Sequence, residues 1–484
     1  MEANIRDSNS WWRGEGIAGV APRVRSIYSQ LMRSLKHGLA PVTVLRGPRQ
    51  VGKTTILNQA IDALLHEGVN ESRILRVQFD DLPSLRDLTE PILEIARWYA
   101  GTQLGKSLNS ALLGSDPVYI FLDEVQNLDD WAPQLKHLVD LNKGLRVLVT
   151  GSSALRIEAG RDSLAGRITT LELGPLLLRE IVEWRTGETL PSLLPNGLVA
   201  LKDKGFWEAV RGGGERHRQV RDFAFKAFSE RGAYPVAQSR PDAPWEELAD
   251  FLNETVIKRA IQHDLRMGSR GQKRDEHLLE EVFRMVCRYA GQAPKPATYV
   301  NEIQKSMDAN IGQQRVNAYL RFLDGTLLIR LIEPLELRLK RKKGHPKLCL
   351  CDHALRAAWL QEQIPLAPEY LVASPHLQDL AGRIAESVAG YYFRSIVNLD
   401  VAHFPERPTE PEVDFVITVG EQRIPIEIKY RRRIEHRDTH GLRTFIEHSH
   451  YNAPFGILVS LEDGYVSDDP RIVSMPLSSL LLFR

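Results

Sequence analysis

Gly47-Pro48-Arg49-Gln50-Val51-Gly52-Lys53-Thr54-Thr55 stands between the apolar run Val42-Thr43-Val44-Leu45 and a helical pattern over residues 55–65. The spacing G-x-x-x-x-G-K-T, placed after a strand and before a helix, is the context a phosphate-binding loop requires. Such a loop turns its backbone N–H groups towards an anion, and glycine permits the dihedrals this needs. The following helix adds the positive end of its dipole. Lys53 is expected to reach the β- and γ-phosphates of a triphosphate, and the Thr54 hydroxyl to ligate Mg²⁺.

Working outward, Val118-Tyr119-Ile120-Phe121-Leu122 is an apolar strand that ends in Asp123-Glu124. Asp123 would hold Mg²⁺ through water, and Glu124 would polarise the attacking water. Leu145–Val149 runs into Thr150-Gly151-Ser152-Ser153. There Ser152 or Ser153 either senses the nucleotide and its water or caps a helix. Residues 74–79 and 169–173 complete five short Val/Ile/Leu-rich runs alternating with helical patterns. That alternation predicts an α/β fold with a parallel sheet buried on both faces.

Composition narrows the function classes. With 63 Lys+Arg against 62 Asp+Glu, the net charge is +1, so any nucleic-acid surface must be a local patch. Three cysteines, Cys287, Cys349 and Cys351, are too few for a disulfide framework and lack zinc spacing. No apolar run is long enough for a membrane span, and the first residues lack a signal-peptide core. A soluble protein of the cytoplasm, with no membrane partner, is expected. Gln363-Ile364-Pro365-Leu366-Ala367-Pro368 reads as a linker, because its prolines oppose regular structure.

Two regions beyond the sheet carry chemistry. Residues 297–352 read as helix, helix and a two-stranded wing around the basic stretch 338–347, which has seven basic or potentially basic side chains in ten residues. Gln314, Arg315, Asn317 and Arg321 would enter a DNA groove while Lys340, Arg341, Lys342 and Lys343 meet phosphates. The competing reading is a structural lid or oligomer contact with a solvated hairpin tip. In the tail, strand periodicity places Glu427 and Lys429 on one face, with Asp414 able to join them from the paired strand. Glu386 is aimed inward from a helix lined by Gly382, Ala389 and Gly390. Converging carboxylates call for a cation, and Mg²⁺ or Mn²⁺ at Glu386, Asp414 and Glu427 would supply it, with Lys429 stabilising developing charge. Arg431 and Arg432 add a patch for backbone phosphates. The competing reading is a surface salt-bridge strand, or a fold kept as a DNA-binding platform.

The segments Gly47–Thr55, Ile120–Gln126, Thr150–Ala154 and Ser163-Leu164-Ala165-Gly166-Arg167 resemble the AAA-type P-loop ATPases of prokaryotes that carry a C-terminal DUF4143 domain. Glu386…Asp414…Glu427-Ile428-Lys429 is similar to the PD-(D/E)xK nuclease active site. The resemblance implies an AAA-type P-loop NTPase core at residues 1–175 with an extra strand between its two nucleotide motifs. It further implies a helical lid at 176–280, a winged helix at 281–362 and a nuclease-like α/β domain at 363–484. Arg167 becomes an arginine finger or γ-phosphate sensor, or else a surface salt-bridge arginine. The expected function is an Mg²⁺-dependent ATPase that binds and processes double-stranded or branched DNA as a homo-oligomer, with a hexameric ring among its forms. The alternative is a nucleotide-controlled switch whose nuclease-like domain binds without cleaving.

Overall fold

The computed structural model describes all residues except 1, 80–87, 113–115, 129, 153–163, 195–196, 267–274, 308–310, 337–343 and 407–409. The chain divides into two compact units, Met1–Gly174 and Pro175–Arg484. Among the described residues no helix is long and apolar enough to cross a membrane.

The first unit is built on five parallel strands: β1 (Val42–Arg46), β2 (Ile74–Gln78), β3 (Val118–Asp123), β4 (Leu145–Gly151) and β5 (Ile168–Glu172). Their order is β2-β3-β4-β1-β5, so β4 lies between the strand leading into the phosphate loop and the strand ending in Asp123. Every residue of β3 is buried, which explains its unbroken apolar run. The helix Lys53–His66 buries Ile56, Leu57, Ala60, Ile61 and Leu64, a helical stripe set against the sheet. At the β2 edge, the Asn9 side chain donates to Arg76 C=O (2.8 Å) and accepts from Arg76 N–H (2.7 Å). The Trp11 and Trp12 indoles both donate to Ile74 C=O.

In the second unit, helices from Leu178 onward lead to the helices Pro296–Met307 and Gln313–Gly325 and to an antiparallel pair, β6 (Ile329–Ile332) and β7 (Lys347–Leu350). Next come the helix Gln378–Arg394 and strands β8 (Asp400–Phe404), β9 (Val413–Val419), β10 (Gln422–Lys429), β11 (Gly456–Ser460) and β12 (Ile472–Pro476). The sheet order is β12-β11-β10-β9-β8, with β8–β9 and β9–β10 antiparallel and the rest parallel.

One apolar core runs from Leu176 through Trp207, Phe228, Ile332 and Cys349 to Phe483. The segments read from sequence as lid, winged helix and tail all contribute to it. Residues 363–368 are corrected by this packing. Ile364, Leu366 and Ala367 are buried, and the Ser229 hydroxyl accepts from the N–H groups of Leu366 and Ala367. Pro365 stands in irregular backbone and Pro368 opens the helix Pro368–Ala373, and the apolar side chains between them bury instead of linking. Close approach is visible at Gly390, where a Cβ would lie 2.4 Å from Cys349 Sγ and 2.8 Å from the Phe415 ring.

Candidate functional site

The phosphate loop is shaped by its sequence. Gly52 sits at φ +96°, a conformation that glycine reaches without strain, and passes directly into the helix at Lys53. Gly47, Pro48 and Val51 are buried, Arg49 is half-buried, and Gln50 and Thr55 are exposed. Arg25, absent from the motif reading, supports the loop from behind: its guanidinium donates to Val51 C=O (2.9 Å) and Gly174 C=O (3.0 Å). No local sequence signal marks it, because its partners are backbone carbonyls far along the chain.

Lys53 is buried, and its ammonium donates to Gly47 C=O (3.1 Å) and Pro48 C=O (2.9 Å), with Glu124 Oε1 at 3.9 Å. The Thr54 hydroxyl donates to Asp123 Oδ2 (3.0 Å), while Thr150 donates to the other Asp123 oxygen. Burial, together with the Glu124 charge, raises the Asp123 pKa, and the Thr150 and Thr54 hydrogen bonds oppose that shift. Glu124 has a positive φ of 56°, and its carboxylate is held by the Gln126 amide, which also donates to Ser152 Oγ (3.1 Å). The structure thus brings together Lys53, Thr54, Asp123, Glu124 and Ser152 at the carboxyl ends of β1, β3 and β4. Ser153 lies outside the described residues. A hydroxyl and a buried carboxylate in direct contact are hard oxygen donors of the kind Mg²⁺ takes, so Thr54 and Asp123 fit that ion.

Arg167 is located by its strand pairing. Ile168 pairs with Val42, and Val42 N–H donates to Arg167 C=O, so Arg167 sits at the amino edge of the sheet. The loop leaves the opposite edge after Arg46, about 13–16 Å away at ~3.3 Å per residue. Arg167 pairs there with Asp140. It is not a sensor of its own subunit's γ-phosphate.

The second constellation assembles in a cavity of about 710 Å³ lined by Lys347, Glu386, Asp414, Glu427 and Lys429 among others. The four residues expected from sequence are all present. Lys347 is the addition, and it is only 2% exposed. Its ammonium donates to Glu386 Oε2 (3.2 Å) and Asp414 Oδ1 (3.0 Å). Ile428 N–H donates to Asp414 Oδ2 (2.9 Å), and Lys429 Nζ meets Glu427 Oε1 at 2.5 Å. Burial and the Asp414 charge push Glu386 and Glu427 up to about 8, against the pull of Lys347 and Lys429. Asp414 is lowered: burial opposes its charge, but Lys347, the Ile428 N–H and Lys429 outweigh it.

At Glu386, Asp414 and Glu427, where a metal is expected from sequence, the structure places a competing cation. Among the described residues, no three His, Cys, Asp or Glu side chains form a group able to hold a metal ion. The ammonium of Lys347 stands between two of the acids, so the carboxylates are answered by lysines. The residues present do not fit a divalent ion at this site. Sequence grouped Lys347 with the basic stretch before it, and only the fold separates it from that run.

On the helix Gln313–Gly325, Gln314, Arg315, Asn317 and Arg321 are all exposed, while Val316, Tyr319, Leu320, Phe322 and Leu323 are buried. Lys340, Arg341, Lys342 and Lys343 lie outside the described residues. Arg431 is paired with Asp438, and Arg432 Nε with Glu462 Oε1 (2.9 Å), so acids partly answer that patch.

Three family models match this chain: an AAA domain over residues 40–182, a domain of unknown function (DUF8612) over 223–363, and another (DUF4143) over 381–480. An uncharacterized protein of Haemophilus influenzae is 19% identical over 319 residues, 65% of this chain and 68% of its own length. An uncharacterized protein of Mycobacterium bovis is 25% identical over 340 residues, covering 68% of this chain but only 58% of its own length. Among solved structures, a Walker-type ATPase of Pyrococcus abyssi aligns at 14% identity with a TM-score of 0.41, over 70% of this chain and 99% of that one. The ORC1 protein of Aeropyrum pernix in complex with DNA aligns at 14% identity with a TM-score of 0.28, over 73% and 96%. The chain therefore carries an AAA domain around its phosphate loop and a DUF4143 segment around its acids, to which the DUF8612 match contributes Lys347.

Proposed function

We propose that this protein binds and hydrolyses ATP with Mg²⁺ at its first unit, and that its second unit engages DNA. The observation that carries the reading is the Lys53–Thr54–Asp123–Glu124 constellation at the carboxyl edge of the parallel sheet. Residues 47–55 would hold the triphosphate, and Thr54 with Asp123 would hold Mg²⁺, whose charge polarises the γ-phosphoryl group. Lys53 neutralises developing negative charge. Glu124 accepts the proton of the attacking water, and Gln126 and Ser152 orient its carboxylate. Arg167, remote from its own loop, would reach a nucleotide only in a neighbouring copy of a homo-oligomer.

The DNA part of the reading is supported by the exposed Gln314, Arg315, Asn317 and Arg321 along one helix, and by the arginines following β10. For the tail site, the lysine between Glu386 and Asp414 takes the place of a divalent ion, which favours a DNA-binding platform over metal-dependent cutting. The nuclease reading keeps one supporting observation, the Glu427–Lys429 pair beside Asp414. An ATPase assay with a panel of DNA forms, beside a mass measurement with and without ATP, tests the first reading. It fails if Lys53→Ala leaves turnover unchanged. Mn²⁺-dependent cleavage of DNA that disappears in Lys429→Ala, with ATPase activity intact, would establish the nuclease reading instead.

A further inference from the structure

Lys347 opens β7, and the fold fixes it in place. Ile332 pairs with it across the two-stranded sheet. The next residue is anchored on both sides, with Leu348 N–H donating to Gln292 C=O (2.9 Å) and Gly291 N–H donating to Leu348 C=O (2.8 Å). Further along, Leu350 N–H donates to the Ser387 hydroxyl (2.9 Å) on the helix that carries Glu386. The lysine cannot leave the cavity unless this strand shifts.

An ammonium has three N–H donors. Here Glu386 and Asp414 take two of them, Glu412 Oε1 stands at 3.9 Å, and the Phe415 ring face lies 5.0 Å away. Asp414 has both oxygens engaged, the second by the Ile428 N–H. Glu427 gives one oxygen to Lys429, and its Oε2 is buried with no hydrogen-bond partner among the described residues. A hard divalent ion needs about six oxygen ligands. Of the six oxygens of Glu386, Asp414 and Glu427, three are engaged by the two lysines and a fourth by the Ile428 N–H, and the lysines' positive charges would also repel such an ion.

We infer that Lys347 is the resident cation of this site: its ammonium answers Glu386 and Asp414 in place of a divalent ion, and the site is metal-independent. This rests on the proposal that the second unit engages DNA without metal-dependent cutting, but its test is separate. DNA retention and ATP turnover probe that proposal, whereas ion binding probes Lys347. The lysine comes from the segment preceding the acids, so the hairpin and the tail domain form one site.

The test titrates Mn²⁺ alone into the full chain without nucleotide, reading free ion by electron paramagnetic resonance. Glu427→Gln serves as the control that assigns binding to this cavity. Wild type is expected to show no Mn²⁺ site that Glu427→Gln removes. Lys347→Met is expected to gain one, bound roughly tenfold or more tighter than any wild-type binding, since a unit charge beside the ligands is gone. Adding Glu427→Gln to Lys347→Met should abolish the gain. A Glu427-dependent Mn²⁺ site in wild type overturns the inference, and so does a folded Lys347→Met protein that gains none. If Lys347→Met fails to fold, as judged by near-ultraviolet circular dichroism, the wild-type and Glu427→Gln titrations decide alone.

Discussion

The two units each bury a lysine, and the lysines are satisfied in different ways. Lys53 bonds directly to two backbone carbonyls, neutral acceptors, and its nearest carboxylate, Glu124, stands at 3.9 Å. Lys347 bonds directly to two carboxylates and has a third at 3.9 Å, so its charge is already matched. A buried cation held by dipoles is prepared to meet an anion, whereas one held by anions acts as a brace. The same residue type therefore marks a ligand site in one unit and an internal counter-ion in the other.

The largest effect should follow from removing the brace. Lys347→Met leaves Glu386 and Asp414 without their partner, and breaking a buried pair of this kind costs about 3–5 kcal/mol. Urea unfolding at neutral pH should report that loss, and an unaltered midpoint would break the contrast. The acids add a pH signature. In the fold, Glu386 and Glu427 sit near 8, well above the ordinary carboxyl value of 4.5. The stability they contribute is complete below about pH 4.5 and is lost as pH rises through about 8. The thermal midpoint of the second unit should fall across that window, and Glu427→Gln should flatten the fall.

Lys53→Ala should lower ATP turnover by roughly 10²–10³, the scale of losing one preorganised charge donor, with little change in stability. Equal losses of turnover and stability would make Lys53 a brace as well. Gly390→Ala sharpens the comparison on the packing side. The added methyl meets Cys349 and Phe415, and overpacking of that kind costs about 1–3 kcal/mol in unfolding measurements. The smallest effect belongs to Arg167→Ala, which should leave the turnover of dilute protein unchanged. A loss seen only as protein concentration rises would identify action on a neighbouring copy.

How far each site was legible follows from how local it is. Residues 47–55 are contiguous, and Asp123-Glu124 ends a strand whose apolar run declares itself, so the nucleotide site could be read almost whole. Thr54 and Asp123 meet because parallel strands place their carboxyl ends on one edge, a property of the sheet class. The tail acids were legible because two-residue periodicity fixes which side chains share a face. Lys347 was not, since nothing in Lys347-Leu348-Cys349-Leu350 tells that its first residue turns into a cavity whose acids, Glu386, Asp414 and Glu427, come far later in the chain. Arg167 stayed open between finger, sensor and salt-bridge arginine for a different reason: a short motif does not state which edge of the sheet it occupies. The 363–368 reading failed because proline forbids regular hydrogen bonding but not burial.

The Asn9 amide at the rim of β2 has its own consequence. By matching both the N–H and the C=O of Arg76, one side chain does what a further strand would do, and it is itself fully buried. A second chain could not zip onto the sheet there without first prising that amide away. Copies of this protein that meet at this rim must do so through side chains, and replacing Asn9 with alanine would expose backbone prone to clumping.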